Sequence, residues 1–328
     1  MLNDDLKFAL TQAVEALKNG EAVGIPTETV YGLAADARRI EAVAEIFRIK
    51  SRPFFDPLIV HLHSIGQVEE YTTKFPSQAR LLAERFWPGP LTILLPRRDS
   101  IPDLVTSGLP DVALRIPAHP VALELLRKFD GPLAAPSANK FGRISPTTAE
   151  AVREELGQEV RVILDGGPCQ VGLESTIVHV APDGARILRH GGITQEQIEE
   201  VIGKVQTAPS IKQNSPLAPG MLDQHYAPRT PLRLLSQEEA ESMTKKERKR
   251  KGLLCWGKIS NDGFCIIRNL SPTESLIEAA SHFFQYLREL DQSGVQEIVA
   301  VPFPDRDLGR AMNDRLRRGA GQRTEDRE

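Results

Sequence analysis

Cysteine is scarce in this 328-residue chain: there are three, Cys169, Cys255 and Cys265, and no CxxC pair. So sparse and odd a set supplies neither a disulfide framework nor a structural zinc site, and it fits a reducing compartment. Long hydrophobic runs are missing too. No stretch reaches the roughly 18 apolar residues that a membrane span needs. Neither sign of charge dominates: 41 Lys and Arg stand against 44 Asp and Glu, a formal net charge of -3. Nothing in that total draws the chain to nucleic acid or to an anionic membrane. An anion site must therefore come from local clustering of cations. The N-terminal MLNDDLKFALTQAVEALKNG is acidic and amphipathic, unlike a signal peptide, so the cytoplasm is the expected location. What is present is ordinary for a globular protein, with 41% hydrophobic and 26% charged residues. The length suggests two domains.

Periodicity divides the chain. Leu6, Ala9, Leu10, Ala13, Val14 and Leu17 have helical spacing, and Gly20 follows as a stop. RRIEAVAEIFRIK, SQARLLAERFW and HPVALELLRKF also read as helices. AVGI, DPLIVHLHS, LTILLP, DVALRIP, PLAAPSAN, VRVILDGG, ESTIVHV and ARILR read as strands. Ser145-Pro146 predicts an N-cap with proline at the first helical position, opening TTAEAVREELG. Thr194 and Gln197 have capping-box spacing. From about 203 to 231 the periodicity fails in a proline-rich linker. Beyond it, PLRLL, GLLCW and VQEIVAVPF alternate with the helical QEEAESMTKKERKR, PTESLIEAASHFFQYLREL and DLGRAMNDRLRR, which predicts a small three-layer α/β domain. The tail from 319 reads as disordered. The first 200 residues mix strand-turn-strand and strand-helix connections, which fits a mixed, twisted sheet.

Several suggestive motifs carry little chemistry. GLLCWGKIS nearly spells a phosphate-binding loop, but Ile259 stands where Ser or Thr should hold magnesium, and Leu-Leu-Cys-Trp belongs in a strand. His61 and His63 share one side of a strand, yet no Cys or His lies near them in sequence, so one polar-pocket and one strand-end histidine is the better reading. Ser137 and Ser175 lack the G-x-S-x-G turn of a serine hydrolase. A different pattern remains. Lys50, Arg52, Arg115, Arg143 and Arg189 each end an apolar segment beside Gly, Ser or Pro turns, where sites gather in open sheets. Arginine and lysine converging on one cleft suit a polyphosphate. Ser145 at a helix N-terminus adds an anion contact, and Thr29 and His61 would orient a small polar substrate.

The runs PTETVYGLAADA, IFRIKSRPFFDPLIVH, FWPGPLTILLP, LRIPAHPVALELL, PLAAPSANKFGRISPTTAEAV, ILDGGPCQVGLESTIV and LRHGGIT together resemble the YrdC-like family, over about residues 20 to 195. Its K-x-R and S-x-N signature stands as Lys50/Arg52 and Ser137/Asn139. The linker APGMLDQHYAP and the C-terminal domain are similar to the longer, two-domain threonylcarbamoyl-AMP synthase form. The resemblance implies a YrdC-like twisted, mixed open sheet with helices over 1–202, a linker folding over the active site at 203–231, and a small Rossmann-like three-layer α/β domain over 232–318, with 319–328 as tail. It also implies an activity: L-threonine, bicarbonate (as CO2) and ATP, the last carried with Mg2+, give threonylcarbamoyl-AMP and pyrophosphate. The product then passes to proteins that transfer the threonylcarbamoyl group to tRNA, with tRNA contact indirect and no membrane involved.

Carried over position by position, the family's L-threonine site falls on Thr29, His61, Arg115 and Ala135. Its ATP site falls on Lys50, Arg52, Asp56, Asp111, Ser137, Asn139, Ser145, Arg189, His225 and Tyr226. Lys50 and Arg52 are the expected catalytic groups, no protein ligand to the metal is assigned, and His225 and Tyr226 are expected to gate the pocket. Asp56, Asp111, His190 and Leu222-Asp223-Gln224 depart from the commonest family pattern. Two other classes compete: a double-stranded RNA or tRNA-binding module, and a carbamoyl-transfer enzyme with another acceptor. The negative total charge and the lack of an aromatic-interleaved basic stripe weigh against the first. Its only dense basic run, KKERKRK at 245–251, reads as a solvated helix. Absent zinc-finger and acylphosphatase segments weigh against the second.

Overall fold

A computed structural model of the chain describes residues 4–181, 183–207, 217–222, 225–260 and 262–321. Residues 208–216 and 223–224 of the expected linker and 322–328 of the expected tail lie outside these. The chain forms two compact units. The first runs to Phe141 and from Ser145 to Met221; the second takes Gly142–Ile144 and everything from Leu222 onward.

The first unit contains α1 (Asp4–Lys18), β1 (Val23–Ile25), β2 (Gly32–Asp36), α2 (Ile40–Lys50), β3 (Ile59–His61), α3 (Val68–Tyr71), α4 (Ser77–Phe86), β4 (Leu91–Pro96), α5 (Asp103–Thr106), β5 (Asp111–Arg115), α6 (Pro120–Phe129), β6 (Leu133–Ala134), α7 (Ala149–Leu156), β7 (Val162–Ile163), β8 (Thr176–Ala181), β9 (Gly184–Arg189), α8 (Gln195–Ile202) and β10 (Gln206–Thr207). Its ten strands form one mixed sheet in the order β10-β9-β8-β4-β5-β3-β6-β2-β1-β7. The apolar stripe of α1, with Leu10, Ala13 and Leu17, packs with Val121, Leu125 and Phe129 of α6 over β1, β2 and β6. Acids in the first turn of α1 and Lys18 in its last complement the helix dipole. A larger cluster, including Val43 and Phe47 of α2, Leu82 of α4 and Ile198 of α8, joins the strands into the main core.

The half of the sheet formed by β3, β5, β4, β8 and β9 is covered differently. Ile59, Leu94, Ala113, Ile177 and Leu188 form a small apolar floor, and Ala218 and Met221 pack on it. Strand pairing aligns the ends of this half. His61 lies opposite Arg115, Leu91 opposite Thr176 and Ile177 opposite Arg189. Because β3 and β5 end where β4 and β8 begin, His61, Arg115, Ser175 and Arg189 share one margin of the sheet.

Two local expectations are corrected. The helix after Ser145-Pro146 begins at Ala149, and Thr148 is its N-cap, accepting from the Ala151 N–H. The run QEEAESMTKKERKR splits into two helices because Thr244 and Glu247 form a capping box that starts a new one. The capping box expected at Thr194 and Gln197 is present.

The second unit contains β11 (Leu232–Leu234), α9 (Gln237–Ser242), α10 (Lys245–Arg248), β12 (Lys251–Cys255), β13 (Ile266–Asn269), α11 (Leu276–Gln292), β14 (Glu297–Ala300) and α12 (Leu308–Gly319). Its parallel sheet has the order β11-β14-β12-β13. The strand β13 is an addition to the three expected, and its half-buried pattern hides the signal. The near-match to a phosphate loop resolves as structure. Gly252 lies in β12, where a Cβ would approach Leu290 Cδ2 to 2.9 Å, so glycine lets α11 pack on the strand. In the basic run, Arg248 is buried and donates to the Ala240, Glu241 and Asp262 carbonyls. Lys245 pairs with Asp262, and Lys251 with Glu297. Much of that charge is committed within the unit.

Candidate active site

The strand β1 ends at Ile25, and Pro26 starts a turn built by Thr27. The Thr27 hydroxyl donates to the Val30 carbonyl at 2.6 Å and accepts from the Thr29 and Val30 N–H groups. The Thr27 and Thr29 hydroxyls lie 2.8 Å apart and share a hydrogen bond. Thr29 in turn accepts from Arg115 Nη2 at 2.8 Å. A hydroxyl has one donor and two acceptor positions, so with Thr27 and Arg115 bonded Thr29 keeps one position for an incoming polar group. That suits a polar group of a small substrate.

Arg115 Nη2 also donates to Glu28 Oε1 at 2.7 Å, and its Nε to the Gly89 carbonyl at 3.3 Å. The ion pair is nearly dry, with side chains 5% and 8% exposed. Glu28 Oε2 is held by the Ala118 N–H at 3.0 Å. His61, opposite Arg115 on β3, is buried, and its Nδ1 has no hydrogen-bond partner among the described residues. Burial first, and the Arg115 charge second, push its pKa down to about 3. Ala135, another expected threonine contact, follows β6 and donates its N–H to the Ile59 carbonyl at 2.9 Å. A neutral imidazole and a guanidinium are thus neighbours, with a hydroxyl on the same guanidinium.

The neutral His61 carries a stability prediction. Its folded pKa lies below the ordinary 6.5, so between those values the unfolded chain binds more protons. Stability falls as pH drops from 6.5 toward 3, by up to about 1.4 kcal/mol per pH unit from this one group. Urea unfolding at pH 7 and pH 5 is expected to show a steeper acid loss for the parent than for His61→Gln. Parallel losses would mean that His61 is free to charge in the folded state.

A second group lies just before β3. Lys50, at the end of α2, is 1% exposed. Its Nζ donates to the Ser137 and Asn139 main-chain carbonyls, each at 2.5 Å. The first contribution of Ser137 and Asn139 is therefore main-chain. Burial, then the charge of Arg52, drives the Lys50 pKa well down. Arg52 donates to the Asp56 and Pro57 carbonyls and lies 2.8 Å from Asp56 Oδ2. Asp56 is completely buried. Its carboxyl pKa is raised by that burial and drawn back by Arg52, Lys50 and Arg189. Three of the expected phosphate-binding cations therefore act on one carboxylate, Arg52 by direct contact.

Arg189 donates to the Ser175 carbonyl from Nε and Nη2, and from Nη1 to the Pro219 carbonyl at 3.0 Å. Ser145 donates to Glu174 Oε1 at 2.6 Å, so its hydroxyl serves an acid and not the N-terminus of a helix as expected. Asp111 shares a sheet face with Arg115 but lies about 13 Å away along β5, 3.3 Å from His179 Nε2. His225 and Tyr226 belong to the second unit, where Tyr226 packs against Phe284 and under Arg315. Glu28, Glu174 and Pro219 are hydrogen-bond partners of these groups that were not among the expected site residues. Glu28 stands in plain view inside PTETV, but nothing local marks it as the mate of an arginine 87 residues away.

Residues 15–191 match the family profile described as Telomere recombination, and residues 193–321 match the profile of the threonylcarbamoyl-AMP synthase C-terminal domain. A threonylcarbamoyl-AMP synthase of Bacillus subtilis is 40% identical over 326 residues, covering 96% of this chain and 93% of the relative. The chain belongs to the threonylcarbamoyl-AMP synthase family. A relative of the same name from Pyrococcus abyssi is 38% identical, with 94% of this chain and 92% of the relative covered. The solved structure of Pyrococcus abyssi Sua5 complexed with L-threonine superposes with a TM-score of 0.88 at 37% identity, covering 95% of this chain and 94% of that one. The mixed α/β fold is that of the family. Among the described residues, no helix is long and apolar enough to cross a membrane.

Proposed function

We propose that this chain is a threonylcarbamoyl-AMP synthase, using L-threonine, CO2 from bicarbonate and ATP, and releasing pyrophosphate. One observation carries the reading: β3 and β5 set His61 beside Arg115 while Thr29 shares the same guanidinium. A cation, a neutral imidazole and a hydroxyl acceptor suit the carboxylate and the hydrogen-bond donors of a small amino acid. The likeness to a protein solved with L-threonine supports threonine as that amino acid. Lys50, Arg52 and Arg189, clustered about Asp56, suit the phosphates of ATP, which enters as its magnesium complex. Lys50 and Arg52 are the catalytic groups in this reading.

Both nucleophiles come from substrates. The threonine ammonium gives a proton to solvent, and the free amine then bonds to CO2 and loses a second proton to solvent, giving a carbamate. A carbamate oxygen attacks the α-phosphorus, and the bond to pyrophosphate breaks. The protein's task is to hold the partners together and to neutralise charge on the phosphates as it shifts. His61 stays neutral and therefore adds no charge to repel the substrate ammonium. The product suits a later transfer of the threonylcarbamoyl group to tRNA by other proteins.

The test is pyrophosphate release from ATP with magnesium and bicarbonate, with L-threonine, L-serine, glycine or no amino acid. Threonine-dependent release, with a nucleotide product of threonylcarbamoyl-AMP mass, is expected. ATP binding without threonine-dependent release would overturn the reading in favour of another acceptor.

A further inference from the structure

The unusual feature of the amino-acid subsite is a carboxylate placed where a substrate carboxylate is to be bound. Glu28 and Arg115 are both buried and in contact at 2.7 Å. Each Glu28 oxygen has its own donor: Oε1 takes Arg115 Nη2, and Oε2 takes the Ala118 N–H. The Glu28 main-chain carbonyl is also held, by the Val171 N–H at 2.8 Å. The acid is therefore fixed at three points and cannot swing aside when a ligand arrives. Arg115 is fixed in turn, through Nη2 by Glu28 and Thr29 and through Nε by Gly89. Its hydrogen bonds among the described residues thus leave Nη1 for a ligand.

This arrangement has two effects. A guanidinium locked on two sides offers an incoming carboxylate one orientation, which lowers the ordering cost of binding. The buried pair is also neutral as a unit. L-threonine is a zwitterion, so its arrival leaves the subsite neutral. A ligand with a carboxylate but no ammonium would bring an uncompensated charge beside Glu28, which is costly in a dry site. Removing the Glu28 charge would leave Arg115 unbalanced and favour anions.

We propose that Glu28 is the positioning and selectivity residue of the amino-acid subsite: it fixes Arg115 and balances its charge, so that the subsite admits a zwitterion in preference to an anion. This rests on the threonine subsite proposed above.

The test compares two ligands of the same shape, L-threonine and (2S,3R)-2,3-dihydroxybutanoate, in which a hydroxyl replaces the ammonium. Titration calorimetry gives the affinity of each for the parent, Glu28→Gln and Glu28→Asp, with melting temperatures recorded alongside. The parent is expected to prefer threonine. In Glu28→Gln the threonine affinity is expected to fall about 10- to 100-fold, and the preference over the hydroxy acid to shrink about tenfold or more. Glu28→Asp, which keeps the charge, is expected to restore most of the preference even where affinity stays reduced. Equal losses for both ligands in Glu28→Gln, with the preference unchanged, would reduce Glu28 to a structural role and overturn the proposal. If the glutamine variant does not fold, the aspartate variant decides: a collapsed preference there, in a folded protein, also overturns it. A parent that binds neither ligand would instead remove the threonine subsite itself.

Discussion

Lys50→Ala is expected to lower threonine-dependent turnover by about 10²–10³-fold, the loss seen when one preorganised donor to a developing charge is removed, while the protein stays folded. The two halves of this expectation have separate causes. The charge of Lys50 acts on Asp56 together with those of Arg52 and Arg189, and in the proposed function it would add to the field at the phosphates. It also ties the Ser137 and Asn139 carbonyls together, which shapes the loop beside them. Its ammonium is fully buried, and burial disfavours the charged form. Truncation therefore removes an unfavourable desolvation along with two hydrogen bonds, and the two changes largely offset each other. The melting temperature is expected to move by less than about 4 °C, which corresponds to roughly 1 kcal/mol. Initial rates of pyrophosphate release and a thermal melt check both halves. Parent-like turnover would take Lys50 out of the mechanism, and an unfolded variant would make its main role structural.

Gly191→Ala is expected to be strongly destabilising, costing about 3 kcal/mol or more of unfolding free energy. A Cβ at this position would lie 2.3 Å from the Glu174 carbonyl oxygen, 2.5 Å from the Ser175 carbonyl carbon and 2.5 Å from the Thr176 nitrogen. All three are main-chain atoms, so no side chain can rotate away. The strand cannot easily retreat either. The Glu174 carbonyl accepts from the Gly192 N–H at 3.0 Å, and the Ser175 carbonyl is held by Arg189. The same shift would disturb the Glu174 carboxylate under Ser145 and the seat of Arg189, so turnover is expected to fall along with stability. Urea unfolding of the variant, set beside its activity, checks this. A variant as stable as its parent would show that the chain at 174–176 has room to move.

The secondary structure was largely legible because it is governed by local spacing. The alternating faces of β5 and the 3.6-residue stripe of α1 come from the covalent geometry of strand and helix. The misses had different causes. Ser145-Pro146 has the chemistry of a helix start, but the Ser145 hydroxyl is drawn to Glu174, 29 residues away, and the helix waits for Thr148. The helix predicted across 237–250 overlooked Thr244, whose spacing to Glu247 was visible but was outweighed by a run of good helix formers. The second unit also takes Gly142–Ile144 from far upstream, where Arg143 meets Asp291 and Arg288 reaches the Ile144 carbonyl. No local pattern signals a contact across such a separation.

The sequence by itself determined the periodic elements, the modest charge, the family, and which cations end apolar segments, because all of these are written in residue type and spacing. Only the tertiary structure decided how those cations are occupied. Arg115 is matched with Glu28 and Arg52 with Asp56, while Lys50 faces two carbonyls and Arg189 reaches Ser175 and Pro219. The physical reason is desolvation. A charge buried at a strand or helix end must find a partner within hydrogen-bond reach, and strand pairing and turn geometry, not neighbours in sequence, bring that partner there.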